Sequence, residues 1–240
     1  MPPKFGHMAA SRYNLTKFKG KIIAIDGPAG SGKSTTARLV AARLGYRYLD
    51  TGAMYRALTW FALKHGVFPS DATRLTALAQ KLAIEFETHE DVNRVLVNGE
   101  DVTTRIRSAE VTRHVSEVSA HRGVREAMVV KQRELGRDGS IVAEGRDTTT
   151  VVFPDAHLKV YLDASIRERA QRRLIDLAGM GVAATIEEQI ADIERRDAYD
   201  SQRQHSPLTR ARDAHIVDTS NQTIDQQVEQ VLVLFKAVLK

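Results

Sequence analysis

The sequence predicts an α/β fold in which helices cover both faces of a parallel β-sheet. Short apolar runs that are typical of buried strands alternate with segments whose apolar residues recur at helical spacing. Because parallel strands need crossover connections, this alternation indicates a parallel sheet with helices on both sides. A glycine-rich turn joins the first run to the first helical segment, and one region with period-two apolar positions interrupts the alternation.

Five apolar runs form the predicted sheet, and six segments between or after them have helical spacing. The runs cover residues 21–26, 46–50, 140–145, 158–163 and 215–220. The helical segments cover residues 33–44, 53–65, 109–135, 165–178, 186–203 and 223–238. In the last segment Ile224, Val228, Val231 and Phe235 recur at intervals of three or four, so we expect one face to pack on the sheet.

Residues 82–104 break the alternation and predict small antiparallel strands inserted into the core. Ile84, Phe86, Val95 and Val97 alternate with polar residues around polar turns. We expect a core formed by residues 21–81, 109–164 and 204–240, with the insertion over 82–108 and a further helical part over 165–203. Residues 1–20 are polar and irregular, and we expect them to be a disordered extension.

Composition narrows the classes of protein to which the chain can belong. Its 240 residues include 42% hydrophobic residues, enough to bury a substantial core. The formal net charge of +5 favours anionic partners, but it does not distinguish a nucleic acid from a nucleotide or a phosphorylated metabolite. The absence of cysteine excludes disulfides and thiolate metal sites. No apolar run reaches the roughly 18 to 20 residues that cross a bilayer, so we expect a cytoplasmic protein with no membrane partner.

The turn after the first predicted strand has the spacing of a phosphate-binding loop. Gly27, Gly32, Lys33 and Ser34 match the pattern Gly-x-x-x-x-Gly-Lys-Ser/Thr in full. Glycines let consecutive backbone N–H groups turn toward an anion, and the N-terminus of the following helix adds a favourable dipole. Lys33 would reach the outer phosphates of a nucleoside triphosphate, and Ser34 would offer an oxygen to Mg²⁺. The predicted loop comprises Gly27, Pro28, Ala29, Gly30, Ser31, Gly32, Lys33, Ser34 and Thr35.

Two further turns follow predicted strands and should face the same crevice as this loop. Thr51 and Arg56 follow the second strand, and Arg146 and Asp147 follow the third. Arginine offers a planar fork of donors to phosphate, whereas aspartate can accept from an exocyclic amine such as cytosine N4. An ordinary helix start with a surface arginine, and a structural ion pair between Arg146 and Asp147, are the simpler alternatives.

Charged residues on two helical segments share faces. Arg196, Asp200 and Arg203 are separated by four and three residues, so we expect all three to project from one face. Arg169 and Arg173 are separated by four residues on the preceding segment. A solvated charged helix would show the same spacing, so spacing alone does not decide between a binding face and a surface.

Six motifs follow one another along the chain: IDGPAGSGKST, LDTGAMYRA, GEDVTTRIRSAEV, GRDTTTVVFPDAHLKVYLDAS, ERRDAYDSQR and PLTRARDAHIVDTS. In this order they resemble the bacterial cytidylate kinase family, a branch of the nucleoside monophosphate kinases. The resemblance implies a P-loop NTPase core with a five-stranded parallel sheet covered on both faces, a CMP-binding insertion over 82–108, and a helical lid within 165–203. It also implies transfer of the γ-phosphoryl group of ATP to CMP or dCMP, with Mg²⁺, by a monomer in pyrimidine nucleotide metabolism.

The resemblance also implies roles for single residues. Ser116, Arg125 and Asp147 would read the cytosine, while Thr51, Arg56 and Arg146 would hold the CMP phosphate and Asp200 the sugar. Arg169 and Arg173 would contact ATP from the lid, and Lys33, Arg146, Arg196 and Arg203 would be catalytic. Many members of the family have Gly-Thr after Gly-Arg-Asp and one apolar residue, whereas this chain has Thr148, Thr149 and Thr150. Because β-branched residues restrict the backbone, we expect a local difference in this turn.

Other functions fit the sequence less well. A guanine-specific GTPase would need an Asn-Lys-x-Asp element, which is absent, and a metal hydrolase is disfavoured because the eight histidines are scattered without a His-Glu-x-x-His motif. A nucleic-acid-binding protein would explain the basic charge but not the glycine loop, and aromatic residues make up only 6% of the chain. A kinase for UMP, AMP or a non-nucleotide acceptor remains the main rival. Glu144, at the end of the third strand, would either orient metal-bound water or cap the strand.

Overall fold

The computed structural model describes residues 19–89, 92–179 and 181–239. Within these residues the strands are β1 Ile22–Asp26, β2 Arg47–Asp50, β3 Ile84–His89, β4 Val92–Val97, β5 Glu100–Asp101, β6 Ile141–Gly145, β7 Leu158–Asp163 and β8 His215–Asp218. The helices are α1 Lys33–Leu44, α2 Thr51–Lys64, α3 Ala72–Lys81, α4 Ala109–Ala120, α5 Arg122–Leu135, α6 Ile166–Gly179, α7 Ile186–Gln202 and α8 Ile224–Val238. The expected extension over residues 1–20 lies almost wholly outside the described residues.

The central sheet is parallel and has five strands in the order β2-β6-β1-β7-β8. This arrangement confirms the predicted sheet, and each of the five apolar runs supplies one strand. The register aligns the carboxyl ends of neighbouring strands: Asp26 on β1 pairs with Gly145 on β6, and Asp50 on β2 pairs with Glu144. The turns that follow β1, β2 and β6 therefore leave the sheet at one edge.

Two hydrophobic clusters cover the two faces of the sheet. Successive side chains of a strand point to opposite faces, so Ile23 and Ile25 of β1 belong to one cluster and Ala24 to the other. The cluster around Ile23 includes residues of α1 and α8, and Phe235 of α8 is fully buried there. The opposite cluster is formed with α2, α3, α4 and α5. The predicted apolar face of the last helix is thus confirmed.

The second sheet is small and antiparallel, with the order β3-β4-β5. Its existence and position confirm the predicted insertion. Ile84, Val95 and Val97 are buried, and Phe86 packs partly buried against the same cluster that contains Leu49 of β2. The insertion therefore packs onto the main core through the alternate residues that the period-two pattern identified.

Two helix predictions were wrong in detail. The segment 109–135 is two helices rather than one, because His121 adopts an extended conformation (φ −64°, ψ 125°) between them. Its ring nitrogen Nε2 lies 2.7 Å from the carbonyl oxygen of Pro69, a contact across 52 residues. Helix α3 was not predicted, although Asp71 caps it by accepting a hydrogen bond from the backbone N–H of Arg74. None of the helices in the described ranges is long and apolar enough to cross a membrane.

Candidate active site

The loop between β1 and α1 has the backbone that a phosphate-binding loop requires. A Cβ atom on Gly27 would lie 2.0 Å from the carbonyl oxygen of Leu162, so only glycine fits at this position. Gly32 directly precedes α1 in a left-handed conformation (φ 89°), and no side chain of the described residues caps this helix at Gly32. The first N–H groups of α1 are therefore available to an anion at the helix N-terminus.

Lys33 lies within this loop, and its side chain folds back over the backbone. Its Nζ atom donates to the carbonyl oxygen of Pro28 at 2.7 Å and lies 3.4 Å from Ser31 Oγ. Burial and, to a smaller extent, the positive charge of Arg146 lower the pKa of Lys33 to about 7, and Glu144 opposes the shift. Lys33 follows β1 and Arg146 follows β6, and these neighbouring strands have aligned carboxyl ends. Both residues therefore lie at the carboxyl edge of the sheet, here called the cleft, where a phosphate would stabilise the charged lysine.

An oxygen-rich group lies beside Lys33 at the carboxyl end of β6. Ser34 Oγ donates to Glu144 Oε1 at 2.6 Å, and the Tyr48 hydroxyl lies 3.2 Å from the same oxygen. Burial raises the pKa of Glu144, and the nearby carboxylate of Asp50 raises it further. Thr51 Oγ1 donates to the backbone carbonyl of Glu144 at 2.7 Å, so this predicted phosphate ligand also links the start of α2 to the end of β6.

The predicted acceptor-side residues form a buried chain of alternating charges. Arg125 Nη2 donates to Asp147 at 2.5 Å, and Arg146 Nε donates to Asp200 at 2.8 Å. Arg203 lies between the two pairs, 3.9 Å from Asp147 and 3.6 Å from Asp200. We call these five residues the acceptor-side network. Arg146 and Asp147 do not pair with each other, but each forms an ion pair with a residue of a different helix, so a structural role for these pairs stays open.

Two more arginines of the predicted site, Arg56 and Arg196, are half-buried and have few hydrogen-bond partners. Burial lowers the pKa of Arg196 to about 10 and that of Arg56 to about 9, and neighbouring arginines add to both shifts. Arg56 donates to Thr112 Oγ1 at 2.9 Å and lies 3.4 Å from the carbonyl oxygen of Ile106. Arg196 Nε is buried without a hydrogen-bond partner among the described residues. Positive charge therefore exceeds negative charge here, which is the condition for binding an anion.

Helix α6 lies against the phosphate loop. Arg169 donates to the carbonyl oxygens of Ala29 and Ala164, each at 3.0 Å, and forms an ion pair with Asp197 of α7. Asp197 also accepts from the backbone N–H of Ala29 at 3.0 Å. Arg173, one turn further along α6, is half-buried, and its charge contributes to lowering the pKa of Arg56 and of Arg196. The predicted ATP ligand Arg169 is thus held against the loop, whereas the contact of Arg173 with ATP stays a prediction.

Some residues of the site had no role in the sequence interpretation. Asp26 is fully buried and accepts hydrogen bonds from the turn that follows Asp147, and Thr219 Oγ1 donates to the carbonyl oxygen of Ser31 at 3.1 Å. The position of Asp26, directly before Gly27, was the only available signal. Ser116 lies half-buried on α4, where its carbonyl oxygen accepts from the Ser119 hydroxyl. Its predicted contact with cytosine stays a prediction.

Comparisons with known proteins agree with this geometry. The family model described as "Cytidylate kinase" matches residues 23–237. A cytidylate kinase of Citrifermentans bemidjiense is 45% identical over 233 residues, which are 97% of this chain and 96% of the relative. A bifunctional pantoate ligase/cytidylate kinase of Synechococcus sp. is 49% identical over 244 residues, covering 100% of this chain and 45% of the relative. The chain thus spans less than half the length of the bifunctional relatives.

A solved structure shares the fold at low sequence identity. An uncharacterized protein from Eubacterium ventriosum aligns with a TM-score of 0.52 and 10% identity, over 91% of this chain and 99% of that chain. Such a likeness concerns the fold alone. The family model and the close relatives decide the family, because the model matches residues 23–237 and the Citrifermentans relative aligns with 97% of this chain. The chain belongs to the cytidylate kinase family.

Proposed function

We propose that this protein transfers the γ-phosphoryl group of ATP to CMP or dCMP, giving ADP and CDP or dCDP. The observation that carries the proposal is that the phosphate loop and the turn with Arg146 leave neighbouring strands at the same edge of the sheet. Ser34 of the loop donates there to Glu144 at 2.6 Å, and Arg146 donates to Asp200 of α7 at 2.8 Å. A lysine of the phosphate loop and arginines of two other elements thus meet where two polyanions would otherwise repel each other. Membership of the family supports CMP as the acceptor.

On the donor side, ATP would lie against the backbone N–H groups of residues 27–35. Lys33 Nζ, which donates to Pro28 at 2.7 Å, would exchange this bond for one to the outer phosphates. Arg169 would hold the loop through Ala29, and Arg173 would reach the phosphates from the next turn of α6. The exposed side chains of Ser34 and Thr35 support their roles as donors at the open end of the loop.

On the acceptor side, CMP would enter the acceptor-side network. We propose that Thr51, Arg56 and Arg146 hold its phosphate, Asp200 its sugar, and Ser116, Arg125 and Asp147 its base. The burial of the Arg125–Asp147 pair supports base recognition, because a hydrogen bond in a site shielded from water discriminates more strongly than an exposed one. The Arg146–Asp200 bond would fix the arginine fork beside the incoming phosphate.

The chemistry needs charge neutralisation more than proton transfer. Phosphoryl transfer has a loose transition state whose charge is spread over the oxygens of the moving group. The acceptor oxygen belongs to the CMP phosphate, which is already ionised near neutral pH, so no side chain has to act as a general base. Lys33, Arg146, Arg196 and Arg203 are the catalytic residues in this proposal, because they would contact or neutralise the transferring group.

The oxygen pair of Ser34 and Glu144 fits a magnesium ion. Both are hard oxygen donors, they lie 2.6 Å apart, and Mg²⁺ bound to nucleotides uses only one or two protein oxygens beside phosphates and water. The described residues contain no group of three or more His, Cys, Asp or Glu side chains that could hold a metal by themselves. We therefore propose that Ser34 binds Mg²⁺, with Glu144 orienting it, and that the ion neutralises charge on the phosphates.

The insertion and the helical segment after β7 would have separate roles. We propose residues 82–108 as the CMP-binding insertion and residues 165–203 as the lid with its arginine-bearing helix. Helix α6 ends at Gly179, and Gly181 has a positive φ of 73°, which gives the lid a flexible end. If the lid closes only when both nucleotides are bound, less of the γ-phosphoryl group would be transferred to water. In hydrogen exchange, amides of α6 should gain protection with both nucleotides, and unchanged exchange would contradict the lid.

We propose that the protein works as a cytoplasmic monomer in pyrimidine nucleotide metabolism, without a nucleic-acid or membrane partner. The arginines of α6 and α7 that the function requires point into the cleft, where they are buried or half-buried. They are therefore less accessible to a nucleic-acid backbone than a basic surface stripe would be. Size-exclusion chromatography with light scattering would test the oligomeric state.

The experiment that tests the function is an ADP-release assay with separate acceptors. The protein is given ATP and Mg²⁺ with CMP, dCMP, UMP, AMP or GMP, and turnover is compared at equal concentrations. We expect CMP or dCMP to give the highest kcat/KM. Faster turnover of UMP than of CMP would contradict the assigned base recognition, and ATP hydrolysis that is independent of any acceptor would contradict the kinase.

A further inference from the structure

A buried carboxylate connects the two halves of the cleft. Asp26 ends β1 directly before Gly27, and its side chain is fully buried. Its Oδ1 accepts from the backbone N–H of Thr148 at 2.9 Å. Its Oδ2 accepts from the backbone N–H of Thr149 at 2.7 Å and from the Thr149 hydroxyl at 2.6 Å. One residue thus links the start of the phosphate loop to the turn that follows Arg146 and Asp147.

The turn that Asp26 holds is anchored at both ends. Residues Thr148–Val152 form a single wide helical turn, and the backbone N–H of Val152 donates to the carbonyl oxygen of Asp147 at 3.1 Å. Arg133 of α5 binds the far end, donating to the carbonyl oxygens of Val151 at 2.6 Å and Val152 at 3.0 Å. Asp26 binds the near end, so it determines where the turn begins relative to the loop.

Three donors converge on Asp26, and they favour its ionised form. A protonated acid would direct its own O–H toward one of the donors and weaken that hydrogen bond. Burial raises the pKa of Asp26, whereas hydrogen bonds from Thr149 and Thr148 oppose this shift. Among the opposing contributions the Thr149 hydroxyl is the largest. A glycine at position 149 would supply the N–H but not the hydroxyl.

We propose that the hydrogen bond between Asp26 and the Thr149 hydroxyl, here called the Asp26–Thr149 bridge, sets the separation between the phosphate loop and the acceptor-binding turn. Thr149 is then a positioning residue for phosphoryl transfer. It lies two residues from Asp147 and three from Arg146, and it does not itself contact the nucleotides. The inference rests on the proposed function, because the two halves of the cleft matter only if two nucleotides meet there. An in-line reaction loses rate steeply when its reactants are displaced by as little as about 1 Å.

The test compares two valine substitutions at neighbouring positions of one turn. Thr149→Val removes the bridging hydroxyl and keeps the shape of the side chain. Thr148→Val is the matched control, because the Thr148 hydroxyl is buried with no hydrogen-bond partner in the part of the chain that the structure describes. Thr149→Ser restores a hydroxyl, and Thr149→Ala offers a second way to remove it if the valine variant does not fold.

Each variant is measured by kcat, by KM for CMP and ATP, by calorimetric affinity for each nucleotide alone, and by the fraction of consumed ATP that yields CDP. We expect Thr149→Val, or Thr149→Ala in its place, to lower kcat about tenfold and to lower the CDP fraction, with each affinity within about twofold of wild type. Thr149→Ser should recover most of kcat. Thr148→Val should keep kcat within about twofold and unfold at an equal or higher urea concentration.

Three results would overturn the inference. One is an unchanged kcat in a folded Thr149→Val or Thr149→Ala variant. Another is an equal loss of kcat in Thr148→Val, which would indicate a general effect on the turn. The third is a loss of kcat that Thr149→Ser does not reverse, because the hydroxyl would then not be the group that matters. Wild-type turnover of CMP is measured first, so failure of the proposed function appears as an inactive wild type and is distinct from failure of the bridge.

Discussion

The two halves of the cleft differ in how completely their polar groups are paired. On the donor side, Lys33 binds a carbonyl oxygen of its own loop, and Thr219 and Arg169 bind the loop from neighbouring elements. On the acceptor side, several buried polar atoms have no hydrogen-bond partner among the described residues. They are the Tyr55 hydroxyl, Arg125 Nε, both amide atoms of Gln132, the Thr148 hydroxyl, Arg196 Nε and Arg203 Nη2.

This difference distinguishes the two proposed sites. Glycine conformation and contacts from Thr219 and Arg169 fix the backbone of the phosphate loop in the free protein. The acceptor side stores buried charge and unpaired polar atoms at a cost in stability, and an anionic ligand would reduce the part of that cost that comes from the arginines. If the two sides differ in this way, substitutions on the acceptor side should change turnover and stability, whereas the donor side should determine the proton uptake on ATP binding.

The largest effect on turnover should come from substitution of Arg146, which belongs to the acceptor side and whose charge also lowers the pKa of Lys33. Arg146→Gln removes the guanidinium that we propose faces the transferring group, and we expect kcat to fall by about 10³-fold, or about 4 kcal/mol of barrier. Arg146→Lys should recover little, because an ammonium lacks the planar fork. The control is Arg195→Gln on α7, whose exposed pair with Asp192 lies outside the cleft. Near-normal turnover of Arg146→Gln would contradict the assigned role.

The next effect concerns the stability of the acceptor-side network. Arg125→Met leaves Asp147 buried, with only Arg203 nearby at 3.9 Å, and we expect it to lower the free energy of unfolding by about 3 kcal/mol. Arg122→Met, one turn earlier on α5, breaks an exposed pair with Glu126 and should cost only about 0.5 kcal/mol. Urea unfolding of both variants measures the difference. Equal midpoints would show that the buried pair carries no more stability than the surface pair.

A smaller effect should appear as a pH dependence on the donor side. The free protein holds Lys33 at a pKa of about 7, and bound phosphates would raise this pKa, so ATP binding should take up a proton. Above pH 7 we expect the affinity for ATP to fall by up to about tenfold per pH unit, or about 1.4 kcal/mol. Titration calorimetry from pH 7 to 9, in buffers of different ionisation enthalpy, measures both the affinity for ATP and the number of protons taken up. An affinity that is flat over this range would contradict the prediction.

The free energy of unfolding of the free protein should change with pH in the direction opposite to the affinity for ATP. Because the pKa of Lys33 is depressed from 10.5 to about 7, the folded state binds fewer protons than the unfolded chain between these values. The contribution of Lys33 to the free energy of unfolding therefore rises with pH across this window. Lys33→Met should remove both trends, raising stability near pH 7 while abolishing the pH-dependent part of ATP binding.

The smallest predicted effect tests the unpaired atoms of the acceptor side. The Thr148 hydroxyl is buried without a partner in the described parts of the chain, so Thr148→Val should raise the free energy of unfolding by about 1 kcal/mol. Thr149→Val should have the opposite sign, because its hydroxyl donates to Asp26. Urea denaturation of the two variants and of the wild type measures both changes in the free energy of unfolding. If Thr148→Val instead lowers the free energy of unfolding, the Thr148 hydroxyl stabilises the folded protein and the prediction is wrong.

The fold followed from local patterns, whereas the pairing within the site did not. Each strand of the central sheet was an apolar run in the sequence, and each helix apart from α3 overlapped a segment of helical spacing. The break at His121 depends on a carbonyl oxygen 52 residues away, so no local pattern could reveal it. Helix α3 did carry a local signal, since Asp71 is a standard N-cap residue.

Within the site, residue types were easier to predict than partners. The sequence places Arg146 beside Asp147, yet the side chains of adjacent residues point in different directions and reach Asp200 and Arg125 instead. The Asp26–Thr149 bridge was hidden for a similar reason, because it joins residues 123 positions apart through one hydroxyl. The expected difference between this turn and that of other family members stays a prediction.

The packing of β3 and β4 has a consequence for how the molecule comes apart. Their apolar residues Ile84, Val95 and Val97 share one cluster with Leu49 and Met54, so the insertion has no separate core to sustain it. Its melting should coincide with that of the whole chain in a single transition. A protease cut between β3 and β4 should leave two fragments that stay associated until the entire molecule denatures.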